Sequence, residues 1–209
     1  MQLDLTLPQL DAVLGVLNYA GIAVFAVSGA LSAARQRLDI VAACFFAIVT
    51  AAGGGTTRDL LIGAPVFWMR EPSTLIICLV MAIAVWLVPL KWWPSRALDW
   101  FDAAGLAAYA VYGAGKALTF GIAPLSAAAM GVVTACMGGI IRDVVAGVPS
   151  IMLRNELYVT AAALAAMSFV ALTALGLPAP VCSISATAAG FALRAAAIRF
   201  GLALPRHPG

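Results

Sequence analysis

An arginine followed directly by an aspartate occurs twice in this chain, each time a helical turn beyond adjacent glycines and inside an otherwise apolar segment. The first copy, TAAGGGTTRDLLIGAP, carries Thr50, Gly53, Gly54, Gly55, Arg58 and Asp59. The second, TACMGGIIRDVVAGVP, carries Thr134, Gly138, Gly139, Arg142 and Asp143. Glycine costs about 1 kcal/mol relative to alanine in a helix and lets the backbone leave helical geometry. Two or three in a row therefore predict a kink or a local unwinding. In a bilayer, the carbonyls freed by such a break must be satisfied by protein or water. They would also suit a partly dehydrated cation, as would the threonine hydroxyls. The alternative is that the glycines only let helices approach closely; the symmetric recurrence favours the cavity.

A charge near the bilayer centre costs about 2.5–3.5 kcal/mol on insertion scales, so Arg58 and Arg142 need partners. Neighbours on a helix point about 100° apart, which disfavours pairing within each Arg–Asp step. The expected partners are acids elsewhere: the aspartate of the other copy, Asp39 or Asp102. Each arginine would thereby lock its bent helix in place. Lys116, in AVYGAGKALTF, reads two ways. It is either a lysine snorkelling to the interface or a gate on a cation path that also offers a contact to acidic lipid.

These residues are set in a chain of 209 residues that is 64% hydrophobic and 10% charged. A soluble domain is about half apolar and about a quarter charged. The composition is that of an all-α polytopic membrane protein, a single transmembrane domain over 1–209. Breaks at Pro, Gly and charge clusters predict seven spanning helices at about 9–34, 39–62, 73–90, 100–120, 124–147, 155–176 and 179–200. Arg35, Arg37, Lys91, Arg96, Arg154, Arg194, Arg199 and Arg206 fall on one side of that path and Arg70 on the other. By the positive-inside rule the N-terminus is outside and the C-terminus cytoplasmic. The opening MQLDLTLPQLD lacks a basic n-region, so the first segment reads as an uncleaved helix. Trp68, Trp86, Trp92, Trp93 and Trp100 fall near segment ends, as interfacial anchors do.

A shift of 84 positions aligns NYAGIAVFAVSGALSA with DAAGLAAYAVYGAGKA and one RD segment with the other, making 19 of the 58 pairs from Leu17 to Thr74 identical. Roughly a tenth would match by chance in so alanine-rich a chain. Each repeat, about 9–90 and about 100–176, holds three predicted helices, with the segment 179–200 left over. An odd number inserts the second copy from the opposite side, predicting an inverted repeat with a pathway where the halves meet.

Several chemistries are excluded. The basic residues are scattered, which gives nucleic-acid binding no footprint. Cys44, Cys78, Cys136 and Cys182 stand singly and read as small apolar residues. The only histidine, His207, is near the C-terminus, and no catalytic or phosphate-cradling motif occurs. No enzyme activity, metal site or cofactor is expected.

The GGG-x-x-RD segment, its echo and the duplicated three-helix plan resemble the trimeric intracellular cation channel family, in its prokaryotic branch. That resemblance implies a homotrimer in a bacterial or archaeal plasma membrane, in contact with membrane lipid. Each protomer would have its own pore for potassium or sodium ions, bounded by the first, second, fourth and fifth segments and pinched at the glycines. Gly53, Gly54 and Gly55 match the first glycine motif, and Gly138 and Gly139 the second, where Met137 stands in place of the leading glycine. Lys116 resembles a basic position that animal members associate with acidic lipid. Bacterial proteins of the same sequence family are also described as small-molecule transporters, including for glycine. A secondary transporter is therefore the alternative reading, with a purely structural scaffold as a third.

Overall fold

A computed structural model describes residues 7–153 and 156–205. Arg154, Arg206 and His207 lie outside the described residues. Eight α-helices are present among those described: α1 (Leu7–Arg35), α2 (Ile40–Leu61), α3 (Phe67–Arg70), α4 (Ser73–Leu87), α5 (Ala97–Thr119), α6 (Pro124–Val145), α7 (Val159–Ala174) and α8 (Ala179–Phe200). The seven segments expected from sequence appear as the long helices, and the short α3 was not anticipated.

Local chemistry sets the ends. Asp39 caps α2, its carboxylate accepting the Ala42 amide at 2.8 Å, so this acid is not a partner for an arginine. Pro124 opens α6, where its missing amide costs nothing. The Gly-x-Pro of both motif copies is a stop signal. Gly63 and Gly147 take left-handed φ of 69° and 65°. The next amides, of Ala64 and Val148, turn back to the carbonyls of Asp59 and Asp143 at 2.8 and 3.1 Å. Only glycine adopts that φ without strain, and Pro65 and Pro149 then prevent continuation.

The helices α1, α2, α6 and α8 are long and apolar enough to cross a membrane, and α4 and α7 are shorter apolar helices. Their outer faces expose Val41, Leu60, Ile76, Val80, Leu125 and Ile184, residues that lipid would cover. The 23-residue α5 is the most enclosed helix, buried from Asp102 to Ala117 along most of its length. It packs on α1, α6, α7 and α8. The two halves use the same partners in the same way: α1 packs on α2 and α4 as α5 packs on α6 and α7.

Candidate functional site

The site is built where α2 crosses α6. Both helices run unbroken through their glycines, which overturns the expected unwinding at Gly53–Gly55 and Gly138–Gly139. The glycines serve contact instead. A Cβ on Gly54 would fall inside the carbonyl oxygen of Thr134, and one on Gly138 inside the carbonyl of Thr50. The reciprocal pairing of position 54 with 134 and of 50 with 138 makes the crossing antiparallel, centred on Ala52 and Cys136. Gly53 is freer, since a Cβ there meets the end of Ile141 at 3.0 Å and the Gly138 Cα at an ordinary contact distance of 3.6 Å. Met137, at the matching position of α6, is half-buried. Thr50 and Thr134 donate their hydroxyls back to the carbonyls of Phe46 and Met130, each at 2.6 Å. This i−4 bonding leaves their oxygens as acceptors only.

Arg58 and Arg142 lie in the last turn of α2 and of α6, six residues from the crossing centre. At 1.5 Å per residue the two charge clusters stand about 18 Å apart along the axes. Neither sits at the crossing centre, and each arginine is favoured by its helix C-terminus.

In the α2 cluster, Arg58 donates Nε and Nη2 to Oδ1 of Asp59 at 2.9 and 2.7 Å. Lys116 donates to the same oxygen at 2.9 Å, and Oδ2 accepts the Phe67 amide at 3.0 Å. The Arg58 guanidinium also lies 4.8 Å from the centre of the Tyr112 ring. In the α6 cluster, Arg142 donates Nε to Asp143 at 2.9 Å and Nη1 to Ser28 at 2.6 Å and Asp102 at 2.8 Å. Asp143 Oδ2 accepts the Ile151 amide at 2.7 Å. Arg58, Asp59, Asp102 and Arg142 are almost wholly buried, with 0 to 1% of each residue exposed.

Two expectations are corrected. Arg and Asp neighbours do pair, because the long arginine arm curls back to a carboxylate that its own Cβ does not face. Lys116 does not snorkel; its ammonium is bound to Asp59 with 18% of the side chain exposed. The expected Arg142–Asp102 bond is present. Ser28, Tyr112 and Tyr158 went unremarked in the sequence. The 84-residue register could have found the first two, since Ser28 aligns with Tyr112 and each touches an arginine.

The charges of the clusters do not balance. Asp59 faces two cations, whereas Arg142 faces two carboxylates. Lys116 aligns with Ser32 and Asp102 with Asn18, so both extra charges come from α5 of the second repeat, one to each cluster. Replacing Lys116 with Gln leaves Asp59 its Arg58 and Phe67 bonds. We expect Lys116→Gln to lower stability by no more than about 1 kcal/mol, read from the unfolding midpoint in detergent.

The bundle as a whole has known counterparts. The fold matches that of a trimeric intracellular cation channel orthologue from Rhodobacter sphaeroides, with TM-score 0.84 and 42% identity over 91% of this chain and 99% of that one. A prokaryotic channel of the same kind solved in 0.5 M KCl gives TM-score 0.84 at 28% identity, over 92% of this chain and 99% of that one. The Caenorhabditis elegans channel with bound Ca2+, at 13% identity and TM-score 0.61, shares the fold. A family model described as glycine transporter matches residues 15–89 and again 99–174, in the register of the internal repeat. The UPF0126 membrane protein of Vibrio cholerae is 39% identical over 200 residues, 93% of this chain and 82% of that protein. The UPF0126 inner membrane protein YadS of Escherichia coli is 37% identical over 195 residues, 90% of this chain and 93% of that protein. The architecture is thus that of the trimeric intracellular cation channels. The chain belongs to this family, in the prokaryotic branch that includes the UPF0126 membrane proteins, and is a multi-pass membrane protein.

Proposed function

We propose that the chain is a cation channel, permeable to potassium, with one path per protomer of a homotrimer. The observation that carries this reading is the pair of buried charge clusters at opposite ends of the α2–α6 crossing, framed by α1 and α5. Two further features support it: the antiparallel crossing fits an inverted repeat of seven spans, and the loop charges fit an outside N-terminus. The path is read as running beside the crossing, where Gly53, Gly55, Gly139 and the threonine oxygens of Thr50 and Thr134 narrow it. Arg58, Asp59, Arg142 and Asp143 would hold its walls, and Lys116 would oppose cation entry from outside. Contact with membrane lipid and with other protomers would use the exposed apolar faces.

A glycine carrier makes a different demand. The ammonium and carboxylate of glycine sit only a few ångströms apart, so a single site must offer both signs to them. In both clusters the cations and carboxylates are bonded to one another, so neither leaves unpaired groups of both signs for one glycine. Purified protein in planar bilayers with potassium on both sides should show discrete unitary currents. Lys116→Gln should enlarge the current by removing a positive charge from the entrance. Absence of currents together with saturable glycine uptake into liposomes would overturn the channel reading.

A further inference from the structure

At the α2 end of the bundle the groups bonded around Asp59 sum to a net charge of +1, and Lys116 among them keeps 18% of its side chain exposed. A cation approaching this end meets a positive charge. At the α6 end the bonded groups of Arg142, Asp102 and Asp143 sum to −1, so the same approach is favoured there.

An acid stands near Lys116 that bonds with none of these groups. Glu71 is exposed and closes α3, its amide donating to the Phe67 carbonyl at 3.1 Å. The strap that it ends is tied down along its length. The Phe67 amide is bound to Asp59, the Trp68 indole donates to the Thr56 hydroxyl at 2.9 Å, and Tyr19 of α1 donates its phenol to Glu71 Oε2 at 3.3 Å. The Phe67 ring centre lies 5.9 Å from the Lys116 ammonium. Glu71, one turn further on, is within electrostatic range of Lys116 and of Tyr112. Among the described residues no cation stands within ion-pairing distance of it, its exposed neighbour Arg70 included. The carboxylate is thus held in place by a phenol while its charge stays unpaired.

The shift of 84 positions puts Ala103 against Tyr19 and Asn155, outside the described residues, against Glu71. The second repeat lacks both members of this pair, and it is the repeat whose cluster is already net negative.

We propose that Glu71, oriented by Tyr19, draws cations to the entrance beside Lys116 and so sets the conductance and the cation preference at that end. A fixed carboxylate at a channel mouth raises the local cation concentration and lowers that of anions. Here it offsets the field of Lys116, which the α6 end has no need to do. This inference rests on the channel reading and deepens it, by naming the group that carries cations past the positive cluster.

The test is unitary current through the purified protein in planar bilayers, in symmetric KCl at about 10 mM and at about 1 M, where charges act over about 30 Å and about 3 Å. At the lower salt Glu71→Gln should reduce the unitary current about twofold and move the reversal potential in a KCl gradient toward that of chloride. At the higher salt the variant should match the parent, because added ions screen the lost charge. Glu71→Asp should keep most of the parent current. Tyr19→Phe removes the bond but leaves the carboxylate, so its current should fall by less than that of Glu71→Gln. Distortion of the strap would instead lower the current equally at both salt concentrations, or make Tyr19→Phe as harmful as Glu71→Gln; either result overturns the inference. So does a Glu71→Gln current equal to that of the parent at the lower salt, which leaves the channel standing. A parent without unitary currents removes the channel reading itself, and this inference with it.

Discussion

Gly54→Ala should unfold the protein far more readily than Gly53→Ala, although the two glycines are adjacent in the same helix. The added methyl at Gly54 collides with the Thr134 carbonyl, a backbone atom that cannot swing aside. The gain of about 1 kcal/mol in helix propensity is then outweighed by separation of α2 from α6. Overpacking costs typically 1–3 kcal/mol and more where no side chain can yield, so a loss of about 3 kcal/mol is expected. At Gly53 the methyl meets the flexible end of Ile141 and, at an ordinary 3.6 Å, the Gly138 Cα, and the change should stay within about 1 kcal/mol of the parent. Unfolding in detergent followed by tryptophan fluorescence reads both. Equal stability of the two variants would mean the crossing is looser than described.

Arg142→Ala should be the most damaging single removal of charge. It strands Asp102 and Asp143 together in the interior and orphans the Ser28 hydroxyl. Loss of one partner from a buried ion pair costs about 3–5 kcal/mol because the survivor has no solvent to turn to. Lysine should rescue only part of this, since one ammonium cannot reproduce a planar fork that reaches three side chains. The double variant Arg142→Ala with Asp102→Asn should recover some of the loss, and the coupling from that cycle measures the pair. If Arg142→Ala unfolds as the parent does, the cluster contributes nothing to the fold.

Much of this was legible in the sequence because it rests on periodicity and punctuation. Apolar runs ending at Gly63–Pro65 and Gly147–Pro149 mark helix ends with a local mechanism, so the long helices fell close to their predicted bounds. The 84-residue echo likewise placed α1 with α2 and α5 with α6. What the sequence hid were facts about approach. Gly54 and Gly138 read as breakers because their cost is local, while the contact that justifies them is made by a helix 84 residues away. Lys116 stayed open between a snorkelling lysine and a gate because nothing near it in the chain announces Asp59. Asp102 was foreseen as a partner, but that Tyr158 closes over Gly139 beside it is visible only in three dimensions.

The unequal sharing of Lys116 and Asp102 between the repeats has an electrical consequence. Were the N-terminus outside, as proposed, the surplus positive charge of the α2 cluster would lie toward the outer face of the membrane and the surplus negative charge of the α6 cluster toward the inner. In that orientation the pair would form a permanent dipole about 18 Å long, set against a hydrocarbon core roughly 30 Å thick. An interior-negative potential works against this orientation. One elementary charge crossing the whole field is worth about 2.3 kcal/mol per 100 mV, so the membrane potential would act on the two clusters in opposite senses.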